Sequence, residues 1–174
     1  YSKPNLKKLT NILAKLDKRF KKIKLISINY LQTHKTAKLK TKVIDRFNIM
    51  EYKKASGFNI HKDIIIPAGA GFGTGHHPTT EGIIRILNKT YLQKNLNVKS
   101  IIDIGCGSGI LSIIAAKLFR CITIAVDIDR LAVKAAKDNY KNNLVNNYIK
   151  VFESSFPCRS VKKNYDIIIV NILA

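Results

Sequence analysis

A glycine-rich turn between two apolar segments limits the folds open to this chain more than any other feature. Residues 101–104 are almost entirely isoleucine, as expected of a strand buried on both faces. The turn G-C-G-S-G follows at 105–109, and residues 110–118 then regain the apolar spacing of a helix. A second apolar run, 121–126, ends on Asp127. This order is typical of a βαβ nucleotide-binding unit and predicts an α/β fold with a doubly wound, Rossmann-like sheet.

The glycine spacing indicates which nucleotide the turn binds. A dinucleotide fingerprint would need its third glycine where this chain has Ile110, and the glycine comes one position earlier. The carboxylate of Asp103, two residues before the turn, would repel a diphosphate. S-adenosyl-L-methionine carries an ammonium and a sulfonium instead, and Asp127 is placed to accept hydrogen bonds from both ribose hydroxyls. We therefore predict this cofactor, with Asp103 and Asp127 among its contacts and with Gly105 and Gly107 allowing the backbone to approach it closely.

A second glycine-rich stretch, PAGAGFGTGHHPTTEG, occupies residues 67–82. Its alternating glycines predict a loop that folds over a ligand. A helix is expected to begin at Pro78, with Thr79 or Thr80 as its cap, or with the Thr80 hydroxyl reaching the cofactor. His76 and His77 are adjacent, so their side chains point apart, and no acid or cysteine flanks them. We predict no metal site here.

The other segments follow from their apolar patterns. Helices are predicted at 5–20 and 131–143, and strands at 23–30, 43–52, 60–66, 148–152 and 166–170, with a turn at 56–57. After the strand at 148–152, Glu153 is a candidate for contact with an adenine amino group, as are Ser154 and Ser155. The last strand delivers Asn171 at its carboxyl end.

The net charge of +20 permits attraction to RNA, ribosomes or an anionic membrane surface. A lysine-rich composition that fills exposed positions would explain the charge equally well. No apolar run approaches the roughly 20 residues that cross a bilayer, and no membrane association is expected. The three cysteines fit reduced thiols, which predicts a cytoplasmic protein; they are Cys106, Cys121 and Cys158.

Three motifs carry a resemblance to a known family. They are AGFGTGHHPTT at 70–80, DIGCGSGILSIIAAKL at 103–118 and VNILA at 170–174, and AVDIDRLAV at 125–133 supports them. Over roughly residues 64–174 the chain resembles the PrmA family, the methyltransferases of the stalk-base protein of the large ribosomal subunit. The middle motif occurs in many methyltransferases, whereas the first and last are specific to this family.

The resemblance implies a class I S-adenosylmethionine-dependent methyltransferase domain at 55–174, preceded at 1–54 by a partial α+β substrate-recruiting module and linker. It also implies methylation of lysine side-chain amines and the N-terminal amine of the ribosomal protein. Asn171 is the catalytic candidate, because its amide oxygen can accept a hydrogen bond from the acceptor amine. Ile172 and Leu173, instead of two prolines, argue against amide or adenine substrates. The cofactor contacts implied by motif position are Phe72, Thr74, Thr80, Gly105, Asp127 and Asn171.

The family pattern also implies a sheet ordered 3-2-1-4-5-7-6, with three strands after position 171. Without them, the strand at 166–170 would be an apolar edge. We therefore expect a truncated chain that is active when a completing C-terminal polypeptide is supplied. The alternatives are an inactive remnant of the enzyme and an RNA methyltransferase that uses the basic surface.

Overall fold

The computed structural model describes residues 41–51, 58–67, 77–93, 96–156 and 164–172. The helix predicted at 5–20, the strand at 23–30 and the turn at 56–57 lie outside these residues. Within the described ranges, no helix combines the length and the apolar character needed to cross a membrane.

A small three-stranded sheet comes first in the described chain. Strands β1 (Lys42–Ile44) and β2 (Phe47–Met50) form an antiparallel hairpin, and β2 pairs in parallel with β3 (Asp63–Ile65). The prediction of one strand over 43–52 was wrong, because the chain reverses at Asp45 and Arg46. Asp45 adopts a left-handed conformation with φ of 48°. Because the turn contains no glycine, its sequence does not predict this conformation.

This small sheet crosses the predicted domain boundary between residues 54 and 55, since β1 and β2 lie before it and β3 lies after it. Its core-facing residues join the same hydrophobic core as the rest of the described chain. The division into a recruiting module and a catalytic domain remains a prediction.

The larger sheet contains, among the described residues, four parallel strands in the order β6-β5-β4-β7. They are β4 (Ser100–Ile104), β5 (Ile122–Asp127), β6 (Ile149–Glu153) and β7 (Ile167–Val170). Each predicted strand in this region is confirmed to within one or two residues. The order is the one expected of a Rossmann-like half-sheet, with β4 at the centre and the chain crossing to the other side at β7.

In the described ranges, three helices accompany the sheets: α1 (Pro78–Leu92), α2 (Ile110–Phe119) and α3 (Arg130–Asn142). Eight of the ten residues of α2 are buried, which is typical of a helix covered on most sides. It contacts β4 and β5 of the large sheet, β3 of the small sheet, and both other helices. The helix is therefore the central layer between the two sheets.

Asn143, immediately after α3, links that helix to the small sheet. Its side chain is fully buried, and its amide nitrogen donates to the Ile65 carbonyl at 2.8 Å while its amide oxygen accepts from the Ile65 N–H at 2.9 Å. The amide thus pairs with the backbone of β3 as a neighbouring strand would. The same nitrogen also donates to the Asn139 carbonyl at 2.8 Å.

We expect Asn143→Ala to lower the free energy of unfolding by about 2–4 kcal/mol, because it leaves a buried N–H and a buried carbonyl of Ile65 without partners. Asn142→Ala is the matched control. That side chain is exposed one residue earlier, and its loss should cost less than about 0.5 kcal/mol. Urea denaturation measures both values, and equal stability of the two variants would contradict the role of Asn143.

Candidate cofactor and active site

The predicted site residues gather at the carboxyl edge of the large sheet. The glycine turn follows β4, Asp127 ends β5, and Asn171 follows β7. These three strands are neighbours in the sheet, in the order β5-β4-β7. Since β7 lies across β4 from the earlier strands, this is the position where the strand order reverses. Open α/β sheets bind ligands in the crevice at such a point.

The glycine turn has a conformation that side chains would prevent. Gly105 and Gly109 have φ of +71° and +78°, and a Cβ on either would overlap a neighbour, Ile172 Cγ2 for Gly105 and the Tyr140 ring for Gly109. The N–H groups of Gly105 and Cys106 donate to the Val126 carbonyl at 2.8 and 3.1 Å. The turn is therefore hydrogen-bonded to the end of β5, and side chains of neighbouring segments pack closely against its glycines.

The backbone donors of this turn are directed inward. Gly107 N–H donates to Asp127 Oδ2 at 2.8 Å, and Gly109 N–H donates to the Cys106 carbonyl at 2.8 Å. Together with the two bonds to Val126, this uses four backbone N–H groups of the turn within the protein. A phosphate-binding loop needs such groups free to face its ligand. The arrangement is unsuited to a diphosphate.

Asp127 is held by two backbone donors, one on each carboxylate oxygen. Gly107 N–H occupies Oδ2, and Asp129 N–H donates to Oδ1 at 2.9 Å. A carboxylate has about four lone-pair positions, so each oxygen retains the capacity to accept one more hydrogen bond. The side chain is half-buried and pre-oriented, which suits a ligand that presents two adjacent hydroxyls.

The carboxyl group of Asp103 lies inside the protein, between β4 and the first turn of α2. Asp103 is 1% exposed and accepts a hydrogen bond from Ser112 Oγ at 2.5 Å. Burial raises its pKa to about 6; the Ser112 hydrogen bonds oppose this rise and the nearby Asp127 charge adds to it. Its predicted contact with a cofactor remains a prediction.

Thr80 and Asn171 meet although they are 91 residues apart. Asn171 Nδ2 donates to Thr80 Oγ1 at 3.1 Å, and Thr80 is 1% exposed. The expectation that Thr79 or Thr80 caps α1 was wrong. His77 is the cap, and its Nδ1 accepts from Thr79 N–H at 3.3 Å, because Pro78 takes the first helical position and moves the cap one residue earlier.

Other predicted residues lie at the rim or outside the described residues. Phe72 and Thr74 belong to the range 68–76, which is outside them. Glu153 ends β6 and is exposed, and in the strand register it lies opposite Asp127. Among the described residues, no group of three or more His, Cys, Asp or Glu side chains could hold a metal ion.

Sequence reasoning missed two apolar side chains beside Asp127. Ile128 is 77% exposed and Leu131 is 74% exposed. Exposed aliphatic groups of this size, close in the chain to a carboxylate that can bind hydroxyls, can offer an apolar surface to a ligand. The available signal was an isoleucine directly after a strand-ending acid, at a position where solvent-facing residues are usually polar.

Comparisons with known proteins give matches over most of this chain. Residues 6–174 match the family model of ribosomal protein L11 methyltransferase, PrmA. The relative named ribosomal protein L11 methyltransferase in Listeria welshimeri is 39% identical over 133 residues, which is 76% of this chain and 41% of the relative. The one in Acetivibrio thermocellus is 45% identical over 106 residues, or 61% of this chain and 32% of the relative. The chain thus spans about two fifths or less of their length.

A solved structure gives the same indication for the fold. The crystal structure of ribosomal protein L11 methylase from Lactobacillus delbrueckii subsp. bulgaricus superimposes with a TM-score of 0.59 and 27% sequence identity. The match covers 75% of this chain and 64% of that chain. The class I methyltransferase fold predicted from the sequence is confirmed by this match and by the parallel sheet.

The buried carboxyl of Asp103 predicts a distinct pH dependence of stability. Because its pKa is raised on folding, its contribution is fully present below the unfolded value near 3.8 and is lost as the pH rises through about 6. Between pH 4 and 7 the wild type should lose about 2–3 kcal/mol relative to Asp103→Asn, which keeps an acceptor for Ser112. Denaturation titrations across this range measure the difference. Parallel profiles would contradict the assignment, and Asp138→Asn, on the exposed face of α3, is the control.

Proposed function

Since this chain belongs to the ribosomal protein L11 methyltransferase (PrmA) family, we propose that it forms the cofactor site and part of the active site of an S-adenosyl-L-methionine-dependent protein methyltransferase. The proposed acceptors are lysine side-chain amines and the N-terminal amine of ribosomal protein L11. The observation that carries the proposal is the hydrogen bond between Thr80 and Asn171 beside the glycine turn.

The residues at the carboxyl edge fit this cofactor better than a dinucleotide. The turn N–H groups are bonded within the protein, and the carboxyl groups of Asp103 and Asp127 favour a cationic ligand. We assign the ribose hydroxyls to the free lone pairs of Asp127 and the adenine to the apolar surface of Ile128. The left-handed backbone at Gly105 and Gly107 is assigned to bringing the turn close to the methionine part. When bound, S-adenosyl-L-methionine supplies a methyl group on a sulfonium, which a neutral amine can accept.

Asn171 is proposed to position the acceptor amine. Its amide nitrogen is engaged by Thr80, which leaves the amide oxygen as the group that faces an acceptor. That oxygen can accept a hydrogen bond from an amine N–H and so fix the direction of the nitrogen lone pair. Correct positioning of a neutral nucleophile accounts for much of the rate enhancement available to such a transfer. Thr80, buried in α1, is then a positioning residue that acts through Asn171.

A completing polypeptide is proposed as a partner, together with ribosomal protein L11. In the described part of the chain β7 pairs with β4 only, and three of its four residues are partly exposed although all are isoleucine or valine. An apolar strand edge of this kind favours pairing with a further strand. We also propose contact between the basic surface and RNA.

Asp127→Ala should weaken binding of S-adenosyl-L-methionine at least about tenfold, because two hydrogen bonds to a charged acceptor are lost. Isothermal titration calorimetry on the 174-residue chain measures the affinity. Asp138→Ala removes an equal charge from the exposed face of α3 and should bind as the wild type does. Equal affinity of the Asp127 and Asp138 variants would reject the ribose assignment.

Asn171→Ala should lower methyl transfer to ribosomal protein L11 by about 100-fold or more. The nearly isosteric Thr80→Val should lower it by about tenfold, because loss of the Thr80 hydroxyl frees the Asn171 amide to rotate. Incorporation of a labelled methyl group measures both rates. Undiminished transfer by Asn171→Ala would refute the positioning role. If the wild-type chain binds the cofactor but transfers nothing, the chain is inactive by itself, and a completing polypeptide should restore transfer.

A further inference from the structure

A second concave site lies at the end of α2 away from the glycine turn. A cavity of about 460 Å³ is formed by the β1–β2 turn, the loop before β3 and the last turns of α1 and α2. With ten residues, α2 is about 15 Å long, so this cavity is separate from the candidate cofactor site. The lining residues are Arg46, Phe47, His61, Tyr91, Lys117, Leu118, Phe119 and Arg120.

The described lining contains basic and aromatic residues and no acid. Two carboxylates that lie next to lining residues are engaged by other groups. Asp45, in the β1–β2 turn, pairs with Arg85 at 2.7 Å. Asp63 accepts hydrogen bonds from Asn48 Nδ2 at 2.7 Å and from Asn59 N–H at 2.8 Å. The Asp63 carboxylate still interacts electrostatically with Lys117, whereas no described carboxylate forms an ion pair with Arg46 or Arg120.

Two of the lining cations, both arginines, are available to a ligand, whereas the lysine is hydrogen-bonded to the backbone. Lys117 Nζ donates to the carbonyls of Ile60 and Asp63, and burial lowers its pKa to about 8. Arg46 and Arg120 form no ion pair within the described ranges, and both are exposed. The cavity thus presents two guanidinium groups, which match phosphate oxygens in charge and geometry.

An aromatic surface lies beside these arginines. The Arg46 guanidinium sits over the Tyr91 ring, with 5.7 Å between its Cζ and the ring centroid. Tyr91 also makes an edge-to-face contact with Phe119, with centroids 5.9 Å apart, and it remains 43% exposed. Stacked guanidinium and aromatic groups are the surfaces on which unpaired bases stack.

The backbone of Arg120 gives independent support for a functional side chain. It caps α2 in the left-handed conformation with φ of 49°, a position usually filled by glycine. An arginine there is strained, and strained residues that persist are often part of a binding site. Glycine would fit this backbone without strain but would remove one of the two available guanidinium groups.

We propose that this cavity binds single-stranded RNA, with a backbone phosphate between Arg46 and Arg120 and a base against Tyr91. The aromatic surface favours RNA over an acidic peptide, and the net charge of +20 would speed the encounter with a polyanion. This binding does not depend on the proposed methyl transfer.

The test compares two variants of identical net charge. Arg46→Gln with Arg120→Gln removes both cavity arginines, whereas Lys134→Gln with Lys137→Gln removes two cations from α3 outside the cavity lining. The probe is a fluorescent single-stranded oligouridylate of about ten nucleotides, titrated at about 50 to 200 mM salt. The arginine pair should bind at least about tenfold more weakly than the lysine pair, and its salt slope should be smaller by about 0.7 to 1.4.

Further measurements distinguish RNA from other anionic ligands. Tyr91→Leu should weaken binding of the oligouridylate by about tenfold while leaving binding of polyphosphate unchanged. Equal effects of the two charge-matched pairs would overturn the proposal, because attraction would then come from the general field. Polyphosphate that binds as tightly as RNA, or uridine monophosphate that binds as tightly as the oligomer, would also overturn it.

Arg120→Gly separates binding from folding. It removes a strained conformation, so the variant should unfold at a temperature no lower than the wild type, yet it should bind the oligouridylate several-fold more weakly. Unchanged RNA binding by a folded Arg120→Gly chain would contradict the assigned role of the arginine.

Discussion

The burial of α2 between two sheets is the constraint on which the rest of the structure depends. This apolar helix packs against the large sheet, the small sheet and two other helices, and the packing holds both of its ends in place. Its first turn carries Ser112, which bonds to Asp103 behind the glycine turn, and its last turn forms the wall of the basic cavity. One packing arrangement therefore supports two surfaces of different chemistry.

The carboxyl edge of the sheet is organised by bonds that bring distant parts of the sequence together. Asp127 joins β5 to the glycine turn, and the contact between Thr80 and Asn171 joins α1 to the end of β7. These bonds hold the side chains before any ligand arrives, which lowers the entropy lost on binding. The free lone pairs of Asp127 and the amide oxygen of Asn171 are the groups such a ligand or acceptor would meet.

Much of the fold could be predicted from the sequence, because parallel strands buried on both faces are continuous apolar runs. In this chain those runs consist largely of isoleucine and valine. The glycine turn and Asp127 were found from their spacing. The hairpin at Asp45 could not be found, since its left-handed residue is not glycine. Asn143 appeared only as a polar helix end, and its pairing with Ile65 depends on tertiary packing that local sequence does not encode. The basic cavity was missed for the same reason, because its residues come from four separate segments.

The most direct test of the central claim is an NMR titration of the isotope-labelled chain with S-adenosylhomocysteine, which resembles the proposed cofactor without its methyl group. We predict saturable shifts of the backbone amides in 105–109 and of Asp127, Ile128 and Asn171, with little change at Arg46 and Arg120. Shifts confined to the basic cavity, or no saturable shifts in a chain whose spectrum is that of a folded protein, would contradict it.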